Sequence, residues 1–153
     1  MTTLNFPAFD VRTKVQNKRT LIFDCVRKKY VVLTPEEWVR QHLIHYLVAE
    51  KDYPASLISV ETHLKYALTK KRTDVLVCDR NGQPLMLAEC KAPEVAITQK
   101  VFEQIAVYNL TIHAPYLMIT NGMQHYCLIA DTDKSEARFL DDTPAYKEIS
   151  MKR

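Results

Sequence analysis

The sequence predicts an α/β fold with a mixed central β-sheet flanked by helices, and three observations predict it. A capped, amphipathic helix is written in "TPEEWVRQHLIHYLVAEKDYP" (34–54). A second helical periodicity runs through "AITQKVFEQIAVYNLTI" (96–112). Between them lie two β-rich runs, joined at Asn81-Gly82, that are apolar on both faces. A strand pair apolar on both faces has to be covered on both sides, and helices before and after it can supply the two covers.

Taken in order, residues 1–19 are polar with scattered apolar anchors and read as an N-terminal arm. "LIFDCV" (21–26) and "YVVLT" (30–34) read as a β-hairpin around Arg27-Lys28-Lys29. In the first helix Thr34 is the N-cap, and Pro35 takes the first helical position, where a missing N–H costs nothing. Glu37 stands three residues after the cap, where its side chain can complete a capping box, and Pro54 lies beyond the end. Leu43, Ile44, Leu47 and Val48 form its apolar stripe, and Trp38 reads as core. "SLISVETHLKYA" (56–67) reads as a strand, followed by the two strands of the Asn81-Gly82 hairpin. Ile97, Val101, Ile105, Tyr108 and Ile112 recur at helical spacing in the second helix. "PYLMIT" (115–120), "HYCLIAD" (125–131) and "ARFL" (137–140) are short strands. Without a linker, internal repeat or low-complexity stretch, residues 1–153 read as one domain, long enough to bury a core.

Composition excludes several classes. The hydrophobic fraction of 47% and charged fraction of 25% are those of an ordinary folded domain rather than a disordered chain. No apolar run reaches membrane-spanning length and the start lacks a secretory layout, so a cytoplasmic protein with no membrane partner is expected. Four cysteines without C-x-x-C spacing read as reduced, buried thiols rather than a zinc site or disulfide framework. Two glycines cannot build a glycine-rich phosphate loop. His42 and His45, one turn apart with no third ligand, read as surface histidines. The net charge is only +3, but basic residues cluster at 14–19, 27–29 and 70–72.

Chemistry is expected in "RTDVLVCDRNGQPLMLAECKAP" (72–93). Asn-Gly favours a two-residue type I′ turn, because both central positions need positive φ. That turn sets Arg80 opposite Gln83, Cys78 opposite Leu85, Leu76 opposite Leu87 and Asp74 opposite Glu89. Side chains alternate along a strand, so Lys91 shares the face of Asp74, Glu89, Leu76, Cys78, Leu85 and Leu87, while Val75, Val77, Met86 and Ala88 point the other way. Two carboxylates directly opposite each other in a desolvated place repel, and one pKa rises unless a cation intervenes. Lys91 supplies one positive charge. A divalent cation bound through oxygen, Mg²⁺ or Mn²⁺, would supply the rest.

Asp74 followed by Glu89-Cys90-Lys91 on the next strand resembles the core of the PD-(D/E)XK nuclease superfamily. The nearer likeness is to the N-terminal nuclease domain of type I restriction enzyme R subunits (HsdR). It is carried also by "TPEEWVRQ" in the first helix, by "ECKAP", and by Gln104-x-x-x-Tyr108 in the second, and it covers about residues 30–142. Thr73 stands where the superfamily has its proline, a substitution that leaves the acids in place.

The resemblance implies a restriction-endonuclease-like core and metal-dependent hydrolysis of DNA phosphodiester bonds. It implies Asp74, Glu89 and the backbone carbonyl of Cys90 as metal ligands and Lys91 as a catalytic cation. Gln104 and Tyr108 would support the site. Glu37 is either a further acid of the metal shell or only a capping-box residue. Arg40 either pairs with Glu36 one turn back or contacts a DNA phosphate, together with Lys70, Lys71 and Arg72. The basic segments would hold the DNA backbone without reading its sequence. Other restriction or helicase subunits, or a second copy of the chain, are the further partners implied. These residues contain no motor, so cleavage triggered by translocation is not carried over. The alternative to a nuclease is a catalytically weak or silent nucleic-acid-binding module of a larger restriction or repair assembly.

Overall fold

The structure, a computed structural model, describes residues 1–63, 72–131 and 136–150. Three antiparallel strands come first: β1 (Thr13–Gln16), β2 (Arg19–Asp24) and β3 (Lys29–Val32), forming a small sheet in that order. Helix α1 (Pro35–Lys51), a 3-10 turn (Ala55–Leu57), β4 (Ile58–His63), β5 (Arg72–Cys78) and β6 (Pro84–Cys90) follow. Helix α2 (Gln99–Ile112), β7 (Tyr116–Thr120), β8 (His125–Asp131), β9 (Glu136–Leu140) and α3 (Tyr146–Ser150) complete the described elements.

Strands β4 to β9 form a six-stranded sheet in sequential order, antiparallel except where β6 pairs with β7 in parallel. That parallel pair requires a crossover, and α2 makes it. On one face of the sheet Val39, Leu43, Ile44 and Leu47 of α1 pack on Val75, Val77, Met86, Ala88 and Met118. On the other, Val101, Ile105, Tyr108 and Ile112 of α2 pack on Leu76, Leu87, Leu117 and Ile119. The central hairpin is therefore covered on both sides, as its sequence requires.

The expected arm contains β1. Its connection to β2 is a type I′ turn with φ of 54° at Asn17 and 64° at Lys18, flanked by the pair Gln16 and Arg19. Asn tolerates the left-handed region, which makes this turn readable in hindsight. At Asn81-Gly82, where a type I′ turn is expected, only Gly82 has positive φ, at 79°. Asp79 there accepts from Gly82 N and pairs with Gln83, giving a three-residue loop that ends in a left-handed glycine. Asp79 Oδ1 also accepts from the amides of Asn81 and Gln83 at 2.8 and 2.9 Å, holding the chain in this form.

The loop shifts the pairing by one residue, so Cys78 faces Pro84 rather than Leu85; a bulge between Val77 and Cys78 shifts it back. Beyond the bulge Val77 faces Met86, Leu76 faces Leu87 and Val75 faces Ala88. The expected register holds where the acids sit, through two displacements that cancel. Leu85 is the extra residue, and it joins the core on the α1 side instead of sharing the face of the acids.

A candidate active site at the open end of the central hairpin

The ladder of β5 and β6, continued one residue past Val75 and Ala88, sets Asp74 level with Glu89. Alternation places both on the face of Leu76 and Leu87, toward α2. Cys90, one residue on, packs into the core on the α1 side, and its thiol is pushed well up by burial. A thiol held neutral and enclosed is inert. What Cys90 offers the site is its backbone: its N–H donates to Asp74 Oδ2 at 2.8 Å.

Lys91 follows at the end of β6, with its backbone N–H bonded to Thr120 O at 2.8 Å and its Nζ 3.3 Å from Glu89 Oε1. Asp74, Glu89 and Lys91 are thus brought together. Tyr108 reaches the same place from α2: burial raises its phenol, and the charges of Glu89 and Asp74 raise it further. Gln104, four residues before Tyr108 on the same helix, is exposed. Lys70 and Lys71 lie outside the described residues, and Arg72 enters as the first residue of β5.

From the other side, α1 points charges at the acids. Thr34 Oγ1 accepts from Glu37 N at 3.0 Å, so the cap is made, but the Glu37 carboxylate does not return to close the capping box. Its Oε1 accepts from Arg27 Nη2 at 2.8 Å and Arg40 Nη1 at 3.0 Å, and its Oε2 from Gln41 Nε2 at 3.0 Å. Arg40 is only 3% exposed. Its Nη2 lies 3.4 Å from Asp74 Oδ1 and 3.5 Å from Glu36 Oε1. The pair with Glu36 is made, and three carboxylates hold the guanidinium inside.

Arg27 and Asp24 were not singled out from sequence, and they extend this chain of charges. Arg27 Nε meets Asp24 Oδ2 at 2.6 Å, while Asp24 Oδ1 accepts from the amides of Val26 and Arg27. The sequence signal was local: an aspartate three residues before an arginine in "DCVRKK", the shape of a side-chain-capped turn. The partner Glu37 carried no such signal. Alternating charges thus run Asp24, Arg27, Glu37, Arg40, Asp74, from the small sheet to the acids of the large one.

His42 is buried rather than on the surface. Its Nδ1 lies 2.8 Å from Trp38 O, and its ring meets Trp38, Phe6 and Phe9, while His45 stacks on Phe9. Desolvation lowers both imidazoles below their ordinary value, and packing against the N-terminal segment accounts for both residues.

The Asp74 carboxyl is pushed up to about 7 by burial and then by the charge of Glu89; the Cys90 amide and Arg40 oppose the rise without cancelling it. Among the described residues no three His, Cys, Asp or Glu side chains are grouped to hold a metal. The donor set is two carboxylates and backbone carbonyls, all hard oxygen, with more negative charge than the nearby cations relieve. Such a set fits Mg²⁺ or Mn²⁺, which take part of their shell from water.

The raised Asp74 has a stability consequence. Below about pH 4 the carboxyl is protonated in both folded and unfolded chains. As pH rises to about 7 the unfolded chain releases a proton the folded chain retains, so stability falls across this window and the loss is complete above it. In chelator, Asp74→Asn is expected to melt above the wild type at pH 8 and level with it at pH 4, since asparagine can still accept from Cys90 N. Each kcal/mol is worth about 2–4 °C at this size. Equal melting of the two proteins at pH 8 would mean that Asp74 is not strained.

Residues 35–144 match the family model of the type I restriction enzyme R protein N terminus. The chain belongs to this family. The fold agrees: a fragment assigned as an HsdR subunit of a type I restriction enzyme from Vibrio vulnificus YJ016 superposes with a TM-score of 0.54 at 20% identity, over 78% of this chain. The HsdR-like chain described here spans 25% of that structure's length. Comparison with curated proteins gives no match. The matched region begins at α1 and ends after β9, so β1 to β3 lie outside it while Glu37, Arg40, Asp74, Glu89, Lys91 and Tyr108 lie within it. Among the described residues no helix is long and apolar enough to cross a membrane.

Proposed function

We propose that this HsdR N-terminal domain is a divalent-metal-dependent deoxyribonuclease that hydrolyses DNA phosphodiester bonds and works with other restriction subunits. The observation that carries it is the crowding of Asp74 and Glu89, with Lys91 at hand, at the end of the central hairpin of a restriction-enzyme family fold. Asp74, Glu89 and the Cys90 carbonyl would hold the metal. When bound, a divalent ion polarises the scissile phosphate and makes a water nucleophilic near neutral pH.

The chain's own residues do the rest. Arg40 and the Cys90 amide fix the Asp74 carboxylate from two directions, so it need not reorganise to bind a cation. Lys91, tethered beside Glu89, donates hydrogen bonds where negative charge develops on the phosphoryl oxygens and orients the attacking water. Tyr108 closes the α2 side of the site and keeps it partly dry, which strengthens both interactions. Glu37 acts one step back: three donors occupy its oxygens, so it holds Arg40 rather than a metal.

Purified protein is expected to cut linear or supercoiled DNA with Mg²⁺ or Mn²⁺ and to stop in chelator. The same ions should raise the melting temperature of the wild type, because they relieve carboxylate repulsion only in the folded state. Asp74→Asn should lose both the cutting and the metal-dependent rise. A full melting response in Asp74→Asn would place the ion elsewhere. A melting response in the wild type without cutting would favour the silent binding module.

A further inference from the structure

The small sheet is one wall of a cleft of about 870 Å³ whose other boundaries include Glu36, Glu37 and Arg40 of α1 and Ala92 and Glu94 after β6. Asp74 and Glu89 do not line this cleft, but Arg40, which does, lies 3.4 Å from Asp74. Its sheet wall is lined by Gln16, Asn17, Arg19, Lys29, Tyr30 and neighbouring strand residues. Residues 10–32 hold seven of the chain's 21 lysines and arginines against two acids. Asp24 and Arg27 neutralise each other inside, which leaves Arg12, Lys14, Lys18, Arg19, Lys28 and Lys29 exposed.

Such a surface, cationic and almost without an apolar core of its own, is built for a polyanion. Among the described residues the small sheet shares no strand pairing with the large one, and Arg27 ties it to α1 through Glu37. The basic wall thereby has a set position relative to Asp74.

We infer that the β1–β3 sheet is the nucleic-acid-binding jaw of this domain, holding the phosphate backbone with Arg19 and Lys29 at the cleft that α1 shares. This rests on the nuclease reading for what happens at the acids, but not for the binding itself. Lys29 faces Asp24, five residues along β2 from Arg19, so the two backbone positions are about 17 Å apart and the side chains leave opposite faces of the sheet, both bordering the cleft. Arg27 is a positioning residue and contacts no phosphate.

The test is binding of a fluorescein-labelled duplex, and of one of its strands, in chelator as a function of salt. Arg19→Ala/Lys29→Ala is expected to weaken duplex binding at least tenfold. It should also flatten the log–log salt slope by about 1.8 for the duplex and about 1.4 for the single strand, one increment per lost contact. A melting temperature near that of the wild type excludes misfolding, and Arg19→Gln/Lys29→Gln serves as a second variant if alanine destabilises the sheet. An unchanged slope with a folded variant overturns the proposal. If the wild type binds through these residues yet never cuts with Mg²⁺ or Mn²⁺, the jaw stands and the nuclease reading falls. If the variant binds and cuts like the wild type, the nuclease reading stands and the jaw falls.

Discussion

Lys91→Ala is expected to slow single-turnover DNA cleavage by about 10²–10³-fold, the effect of removing one donor aimed at developing charge in a protected site. Affinity for DNA in chelator should change by no more than a few-fold, because one cation adds little to an extended backbone contact. Two other routes to a slow enzyme have to be separated from this one. Lys91 Nζ lies 3.3 Å from Glu89 Oε1, so its loss also leaves the acids less neutralised and alters the demand for metal. Measuring the rate at saturating Mg²⁺ or Mn²⁺ removes that contribution. Melting in chelator identifies a folding defect. If Lys91→Ala cuts like the wild type at saturating metal, the lysine is a structural counter-ion and the nuclease mechanism proposed for this site is wrong.

The second large effect is expected at Arg40. Its guanidinium is almost fully enclosed and meets Glu37, Glu36 and Asp74. Arg40→Met keeps much of the volume and removes the charge, stranding carboxylates that have lost solvent. Breaking a buried ion pair in this way costs about 3–5 kcal/mol, and at about 2–4 °C per kcal/mol the melting temperature should drop by some 6–20 °C. Adding Glu37→Gln should recover part of the loss, since the stranded charge is then gone, and the coupling between the two changes reads out their contact. The recovery will be incomplete, because Arg27 also bonds Glu37. An Arg40→Met protein as stable as the wild type would mean that these ion pairs do not hold the fold, and would favour the DNA-phosphate contact that the sequence offers as the alternative to pairing with Glu36.

Short-range pattern made much of this protein readable. Thr34 and Pro35 begin α1 because cap chemistry is written in consecutive residues. Heptad-scale periodicity gave α2 its buried face at Val101, Ile105, Tyr108 and Ile112. The closeness of Asp74 and Glu89 followed from strand alternation and a turn. It followed partly by fortune: the loop at 80–82 and the bulge beside Val77 each displace the ladder by one, in opposite senses. Strand β1 escaped notice because its four residues are all exposed and carry no apolar alternation.

By itself the sequence determined the two helices, the hairpin apolar on both faces, and the acids and lysine at its end, since each depends on neighbours within a turn or a strand length. Only the tertiary structure decided where α1's charges go. Whether Glu37 closes a cap, binds a metal or holds an arginine depends on Arg27, ten residues back, and whether Arg40 meets solvent or Asp74 depends on a strand 34 residues ahead. Charged side chains are long and their local alternatives nearly equal in energy, so burial against distant elements chooses among them. The cleft between the small sheet, α1 and the segment after β6 was decided in the same way, for none of the three contains the whole of it.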